Sequence, residues 1–328
     1  MPSSVTHNYF ASDVYDKINI DIKKKLQFNL DDFKCFAQGP DPYFFYDFHL
    51  TKKSKNVFKI NDAMQHTNVN EHFLSLINYI NEKEYYSNSQ VMAYLYGQIC
   101  HFILDSTIHP FVIFNTGIYD DKDVNSYKYN GLHEEMEYFI DIHLIAKREN
   151  IVPKKYKVYK NIFNINPFND ELKDVINTVT KDVYNFNNVS DIYYKSINDM
   201  KKFYYIFNYD KYGIKKFIYK IMDLICKDRL VKKEELSFNV DPNSKLYYLN
   251  SEKDEWTHPC DINEKYNFSF FELYNIAIDK AILLIEEIDN MLKKKKINSK
   301  KIKMLFGNLN YGTGKDCDLN LEYKYFKF

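Results

Sequence analysis

Chain breakers are scarce in this sequence. Eight glycines and eight prolines are spread over 328 residues. That is too few to turn a large antiparallel sheet, so long helices are expected. An excess of one charge is also missing: 45 basic residues balance 45 acidic ones. Bulk attraction to a polyanion is therefore absent, and no stable nucleic-acid complex is expected. Cysteine is thin, with five residues at positions 35, 100, 226, 260 and 317. The number is odd and no CxxC occurs, which fits reduced thiols better than a disulfide framework. The N-terminal residues lack a basic segment followed by an apolar run, so no signal peptide is visible. No stretch approaches the roughly 18 apolar residues of a membrane span. A cytoplasmic location is the expectation. A GxSxG elbow is missing too, which removes the usual serine hydrolase. Gly312-Thr-Gly314-Lys315 is not a phosphate loop, because Leu309 stands where its first glycine belongs and Asp316 where it needs Ser or Thr.

What is present is apolar and aromatic. Hydrophobic residues make up 45% and aromatics 17%, with 30 Tyr and 26 Phe against one Trp. This supplies a real core for one large domain or two moderate ones. Helices are expected over residues 6–25, 69–82, 89–109 and 131–148, the third stopped by Pro110. An aromatic loop covers 35–50 and another loop 115–130. Pro153 suggests a boundary, giving a metal-bearing core over 1–150 and a helical C-terminal region over 151–328 packed on it. Amphipathic segments follow at 170–186, 190–207 and 211–231, and residues 235–263 look irregular. Ser269-Phe-Phe-Glu272 has the spacing of a capping box and opens a last helix with Leu273, Ala277, Ala281, Leu284, Ile288 and Leu292 on one face. The tail from Gly307 is expected to be extended. The fold class is an all-α, multi-helix bundle.

Eight of the nine histidines precede residue 144. His101 and Asp105 stand one helical turn apart, and His109 follows after another four residues. On an unbroken helix these three share a stripe. His133 and Glu137 repeat the His–carboxylate spacing. Imidazole nitrogen and carboxylate oxygen are the ligands of open, catalytic zinc sites. The helix carrying His101 and Asp105 is apolar on nearly every side. A buried carboxylate there is costly unless it is paired, and a metal removes that cost. One such pair alone reads as a satisfied core hydrogen bond. Two pairs within forty residues, with His109 between them, point to metal.

The ordered set Thr6-His7, Gly39-Pro40-Asp41, Met64-Gln65-His66, His101-Phe-Ile-Leu-Asp105, His109 and His133-Glu-Glu-Met-Glu137 resembles the zinc-dependent phospholipase C family. Single-strand-specific zinc nucleases share that helical fold. The resemblance covers about residues 3–145. It implies a first zinc on His66, His101 and Asp105 with Asp41 beside it, and a second on His109, His133 and Glu137. His7, with Asp105 bridging, would approach a third, so two or three Zn²⁺ ions are implied. Asp41 would be a ligand or the general base for the attacking water. The implied activity is metal-assisted hydrolysis of a phosphodiester, most simply in a phospholipid. Three other readings stand beside it: a single-strand nuclease, a hydrolase of a small soluble phosphodiester, and a non-enzymatic metal-binding protein.

Lesser signals have plain readings. His72 and His143 read as ordinary core or surface histidines, and His49 as one or as a residue just behind the site. Trp256-Thr-His258-Pro259 reads as a packed loop anchor, or as a cover over the site. The run Lys293–Lys296, with Lys300, Lys301 and Lys303, reads as a solvated helix end, or as a peripheral contact with anionic lipid heads.

Overall fold

The computed structural model describes residues 4–210, 212–225 and 238–328. Its chain is helical almost throughout. The first elements are α1 (Ser4–Lys17), α2 (Ile20–Leu26), α3 (Leu30–Phe36), α4 (Lys52–His66), α5 (Val69–Glu82), α6 (Ser89–Thr116) and α7 (Leu132–Glu149). Then come α8 (Val158–Asn161), α9 (Asp170–Tyr184), α10 (Val189–Phe207) and α11 (Ile214–Ile225). A hairpin of β1 (Trp256–His258) and β2 (Asp261–Tyr266) precedes α12 (Phe270–Lys293) and α13 (Ser299–Phe306). The expected all-α class holds. Of the 211–231 segment, residues 211 and 226–231 lie outside the described residues, as do residues 235–237 of the irregular stretch.

Several boundaries differ from expectation for local reasons. The expected 6–25 helix is two helices, because the Asn19 side chain accepts from the Asp21 amide and starts a new one. The aromatic stretch is not an open loop. It holds the end of α3 and a run of 3₁₀ turns over Asp41–His49, broken at Tyr46–Phe48. The polar stretch after it forms α4, capped by the Thr51 hydroxyl on the Ser54 amide and buried along Val57, Ile60 and Met64. Pro110 does not stop α6, which runs on to Thr116 and ends at Gly117 with φ +65°. The capping box at Ser269 and Glu272 is present. The hairpin was not anticipated; it pairs Trp256 with Tyr266 and Thr257 with Lys265, and its register slips before His258. Among the described residues Cys35, Cys100, Cys260 and Cys317 are all unpaired.

The core sits around α6, of which nearly every residue from Gln90 to Thr116 is buried. α1, α3, α7 and α12 pack against it. One hydrophobic cluster runs from Val5 to Tyr311 and includes Tyr156, Val175, Tyr193 and Ile285. No helix among the described residues is long and apolar enough to cross a membrane.

Candidate metal centre

α6 supplies the centre of the site. Its first turn is capped by the Asn88 side chain, which accepts from the Gln90 and Val91 amides. His101, Asp105 and His109 then follow on one stripe, all buried. Asp105 stands between three imidazoles. One oxygen lies 3.2 Å from His7 Nε2; the other lies 3.1 Å from His101 Nε2 and 3.8 Å from His109 Nδ1. The His7 and His101 rings stack at 4.4 Å.

Each ring is held by its other side or by its backbone. His101 Nδ1 bonds the Ala37 carbonyl at 3.1 Å and His109 Nδ1 bonds the Tyr311 carbonyl at 3.0 Å. Both leave Nε2 aimed inward, the arrangement that orients a ligating histidine. His7 is placed by its helix. The Val5 and Thr6 amides and the Thr6 hydroxyl all donate to the buried Asp141 carboxylate of α7, at 3.0, 2.7 and 2.7 Å. A carboxylate at a helix start satisfies amides that have no partner in the helix.

The Gly39-Pro40-Asp41 turn brings a second carboxylate. Asp41 Oδ1 accepts from Gln65 Nε2 at 3.0 Å and lies 3.9 Å from His101 Nε2. Gly39 is required here. Its φ is +54°, and a Cβ would fall 2.2 Å from the His101 ring. The turn is pinned by Tyr193, whose hydroxyl donates to the Gly39 carbonyl, and by Asn61, which donates to the Pro40 carbonyl.

α7 completes the arrangement. His133 Nε2 lies 2.9 Å and His109 Nε2 3.6 Å from the same Glu137 oxygen. The ligand atoms thus fall into two groups, His7 with His101 and Asp105, and His109 with His133 and Glu137, each within 4.8 Å. Zinc bonded at about 2.1 Å to tetrahedral ligands sets them about 3.4 Å apart, close to these separations.

The sequence-derived ligands His7, Asp41, His101, Asp105, His109, His133 and Glu137 all converge. His66 does not. It ends α4 with its side chain 43% exposed, and its Nδ1 faces Asp62. One residue is about 100° of helical turn, so Gln65 rather than His66 points at Asp41. His72 is buried against Phe73 and Tyr184, and burial holds it neutral with a pKa near 4. His143 bonds the Pro242 carbonyl and His49 stacks on Phe44. Trp256 does not cover the centre. It packs on Phe111, Phe114 and Tyr266 as an anchor for the hairpin. Sequence reasoning missed three supports: the Ala37 and Tyr311 carbonyls and Asp141. The first two are backbone groups, which no side-chain pattern announces. Asp141 continues the His133–Glu137 stripe by one turn, the one hint available.

The electrostatics of the site are set by burial and by its mutual His–carboxylate contacts. The His7 Nδ1 and Nε2, the His101 and His109 Nε2, the Asp41 Oδ2 and both Asp105 oxygens are buried without an aligned hydrogen bond. Burying that many unmatched polar atoms is costly unless an ion satisfies them. Burial, and then the His101 charge, press His7 down to about 4. Burial opposes charge on His101 and His109 as well, but Asp105 together with Asp41 for the one, and with Glu137 for the other, outweighs it and raises both. Asp105 is driven well below its usual range by those imidazoles despite its burial. Glu137 is held near 2, His133 and His109 outweighing its burial. Asp41 goes the other way: burial lifts it to about 6, against the pull of His101. Donor type, spacing and unmatched atoms all fit zinc.

The family described as zinc dependent phospholipase C matches residues 6–188, more than half of the chain. The chain belongs to that family. The matched span holds every converging ligand and runs past residue 150 into α9. Neither the curated proteins nor the solved structures compared with the chain give a match. Membership makes zinc the family's metal and phospholipase C chemistry the family's activity. The two ligand groups are where this chain would carry them.

Proposed function

We propose that the chain hydrolyses the phosphodiester of a phospholipid, with two zinc ions and a water attacking phosphorus. His7, His101 and Asp105 hold one ion with Asp41 beside it. His109, His133 and Glu137 hold the other. Zinc supplies charge neutralisation for phosphate oxygens and lowers the pKa of a water toward neutrality. The chain's residues supply the rest. Asp41 takes the proton of the attacking water, its buried carboxylate being turned toward the first ligand group beside His101. Gln65 fixes the oxygen that must not rotate. A new P–O bond forms from water, the P–O bond to the glycerol oxygen breaks, and that oxygen leaves with a proton. A cavity of about 20 Å³ beside Asp105, His109 and Glu137, walled by Ile108, Val112 and Phe270, has room for one water or one ion.

The carrying observation is the pair of His–carboxylate groups converging in the core, with the Nε2 atoms of His7, His101 and His109 and both Asp105 oxygens buried without an aligned hydrogen bond. The nuclease reading lacks a comparable support: Tyr43, Phe45 and Tyr46 are buried and only Phe44, at 37%, is exposed, so the aromatic stretch offers no platform for stacked bases. The test is metal analysis of the purified chain beside hydrolysis of short-chain phosphatidylcholine and of single-stranded DNA. The reading expects two zinc ions per chain, hydrolysis of the lipid only, and loss of one ion and of hydrolysis in His101→Ala. A zinc-free active wild type, or cleavage of the DNA alone, would end it.

A further inference from the structure

The run that carries Asp41 has left-handed backbone at both of its ends. Gly39 stands just before it with φ +54°, and Asp47, Phe48 and His49 close it with φ 49°, 52° and 60°. A glycine adopts that region freely. Three successive residues with side chains do not, and such a turn persists only where its surroundings hold it. Between the ends the chain makes 3₁₀ turns, not a regular α-helix. The Asp41 Oδ1 accepts from Gln65, while its Oδ2 is buried without an aligned hydrogen bond. The direction of that carboxylate is therefore set largely by the backbone beneath it.

α10 reaches the backbone at both ends. At the first, the Tyr193 hydroxyl donates to the Gly39 carbonyl at 2.7 Å. Gln98 Nε2 of α6 donates to the same hydroxyl oxygen at 3.4 Å, which leaves the phenol proton for Gly39. Burial pushes the Tyr193 pKa well above its ordinary value, so that proton stays. At the second end, the Asp47 amide donates to the Asp199 carboxylate at 3.1 Å, and Lys195 bridges the Asp47 and Asp199 carboxylates. Along the middle, Tyr43 packs on Tyr193 and Phe45 on Phe203, both at 5.0 Å. Tyr193 and Asp199 are buried, so water does not readily replace either bond. A buried carbonyl or amide left without its partner is costly, and both bonds resist breaking for that reason. α10 starts at Val189, just past the matched span.

We infer that α10 positions Asp41 for the attacking water, with Tyr193 and Asp199 as positioning residues that hold the two ends of its run. Both act through the backbone. The inference rests on the reading of Asp41 as the base beside the metal.

The test compares Tyr193→Phe and Asp199→Ala with Tyr274→Phe in the full, zinc-loaded chain. Tyr274 is also buried, and its hydroxyl donates to Asp13 in a bond between α12 and α1. Hydrolysis of short-chain phosphatidylcholine gives kcat and KM. Amide hydrogen exchange over residues 39–49 reads the run without any substrate. Tyr193→Phe is expected to keep both zinc ions and the wild-type KM, and to lose kcat by about tenfold or more, as a displaced base does. Exchange is expected to rise by about tenfold at the Asp41 amide in Tyr193→Phe, and at the Asp47 amide in Asp199→Ala. Tyr274→Phe is expected to lower the melting temperature with neither effect. Unchanged exchange or unchanged kcat in Tyr193→Phe overturns the inference. So does a loss of kcat that Tyr274→Phe reproduces, since general softening would then explain it. Loss of a zinc ion in Tyr193→Phe overturns it too, because the run would then serve the ligands and not the base. A wild type that hydrolyses no phospholipid ends the phospholipid reading, and exchange still decides whether α10 holds the run.

Discussion

Gly39 and His66 set the limits of the centre residue by residue. Gly39 has a left-handed backbone and a ring where its Cβ would be. Gly39→Ala is expected to cost roughly 2–4 kcal/mol in urea unfolding, the sum of backbone strain and a clash that His101 cannot avoid. Zinc content should fall with it, since the same shift moves Nε2. His66→Ala touches nothing buried and should change stability by less than about 0.5 kcal/mol. It should also leave zinc content intact, whereas His7→Ala removes one ion. If His66→Ala loses zinc instead, the ligand set of the first group is wrong. Protons compete with metal at His101 and His109, whose affinity for protons is raised in the metal-free chain. Apparent zinc affinity is therefore expected to weaken as pH falls, beginning above the usual histidine range and not below it. The same shift has the opposite sign for the metal-free fold. Stability contributed by protonated His101 and His109 is complete below their unfolded pKa of 6.5 and fades as pH rises through the folded value. Thermal melts of metal-free and loaded protein across pH 5–9 separate the two effects.

At the scale of elements, one carboxylate joins two helices. Asp141 of α7 receives three hydrogen bonds from the start of α1. Asp141→Ala is expected to cost about 3 kcal/mol or more by leaving buried amides unpaired. It should free His7 while sparing His109, His133 and Glu137, so zinc content should fall from two to one. Loss of both ions together would mean that the groups are not separable. Such joints explain what the sequence disclosed. The His101–Asp105–His109 and His133–Glu137 spacings were legible because a single helix fixes them. α5 was legible at both ends, and so was the capping box of α12. His66 stands apart from the other expected ligands because the choice between it and Gln65 depends on the rotation of α4 about its axis, which tertiary packing sets. Pro110 misled for a related reason. A proline withdraws one amide from the carbonyl four residues earlier, Ser106, and the rule assumes that nothing else covers the gap. Here the turn at Gly314 presses so close that a Cβ there would stand 2.3 Å from the Ser106 oxygen. The hairpin escaped notice because its short strands are mostly polar and lack an alternating pattern.

Across the whole molecule, the segment after α13 closes the structure on its centre. The Tyr311 amide donates to the Gln65 carbonyl, its own carbonyl holds His109, and Asn308 accepts from the Val69 amide at the start of α5. Tyr311 is fully buried against His101 and Phe102. Truncation after Gly307 is expected to expose that face, cost more than about 3 kcal/mol, and weaken zinc binding at His109 before it affects His7. Differential zinc chelation with a graded chelator would show that order; equal loss at both groups would contradict it. Little of this closure was legible in sequence, because it joins a side chain to a backbone carbonyl 202 positions away.

That separation has a consequence for the order in which the protein is made. The ligands His7 to Glu137 leave the ribosome first, and the carbonyl that orients His109 follows 202 positions after that histidine. At about 5–20 residues per second, the interval is about 10–40 s. During it the nascent chain carries a cluster of imidazoles and carboxylates without its final brace. Metal that arrives early meets a loose set of ligands, and metal that arrives late meets a finished one. If both groups hold zinc as proposed, the timing of zinc supply, and not only its concentration, is expected to bear on assembly of the centre.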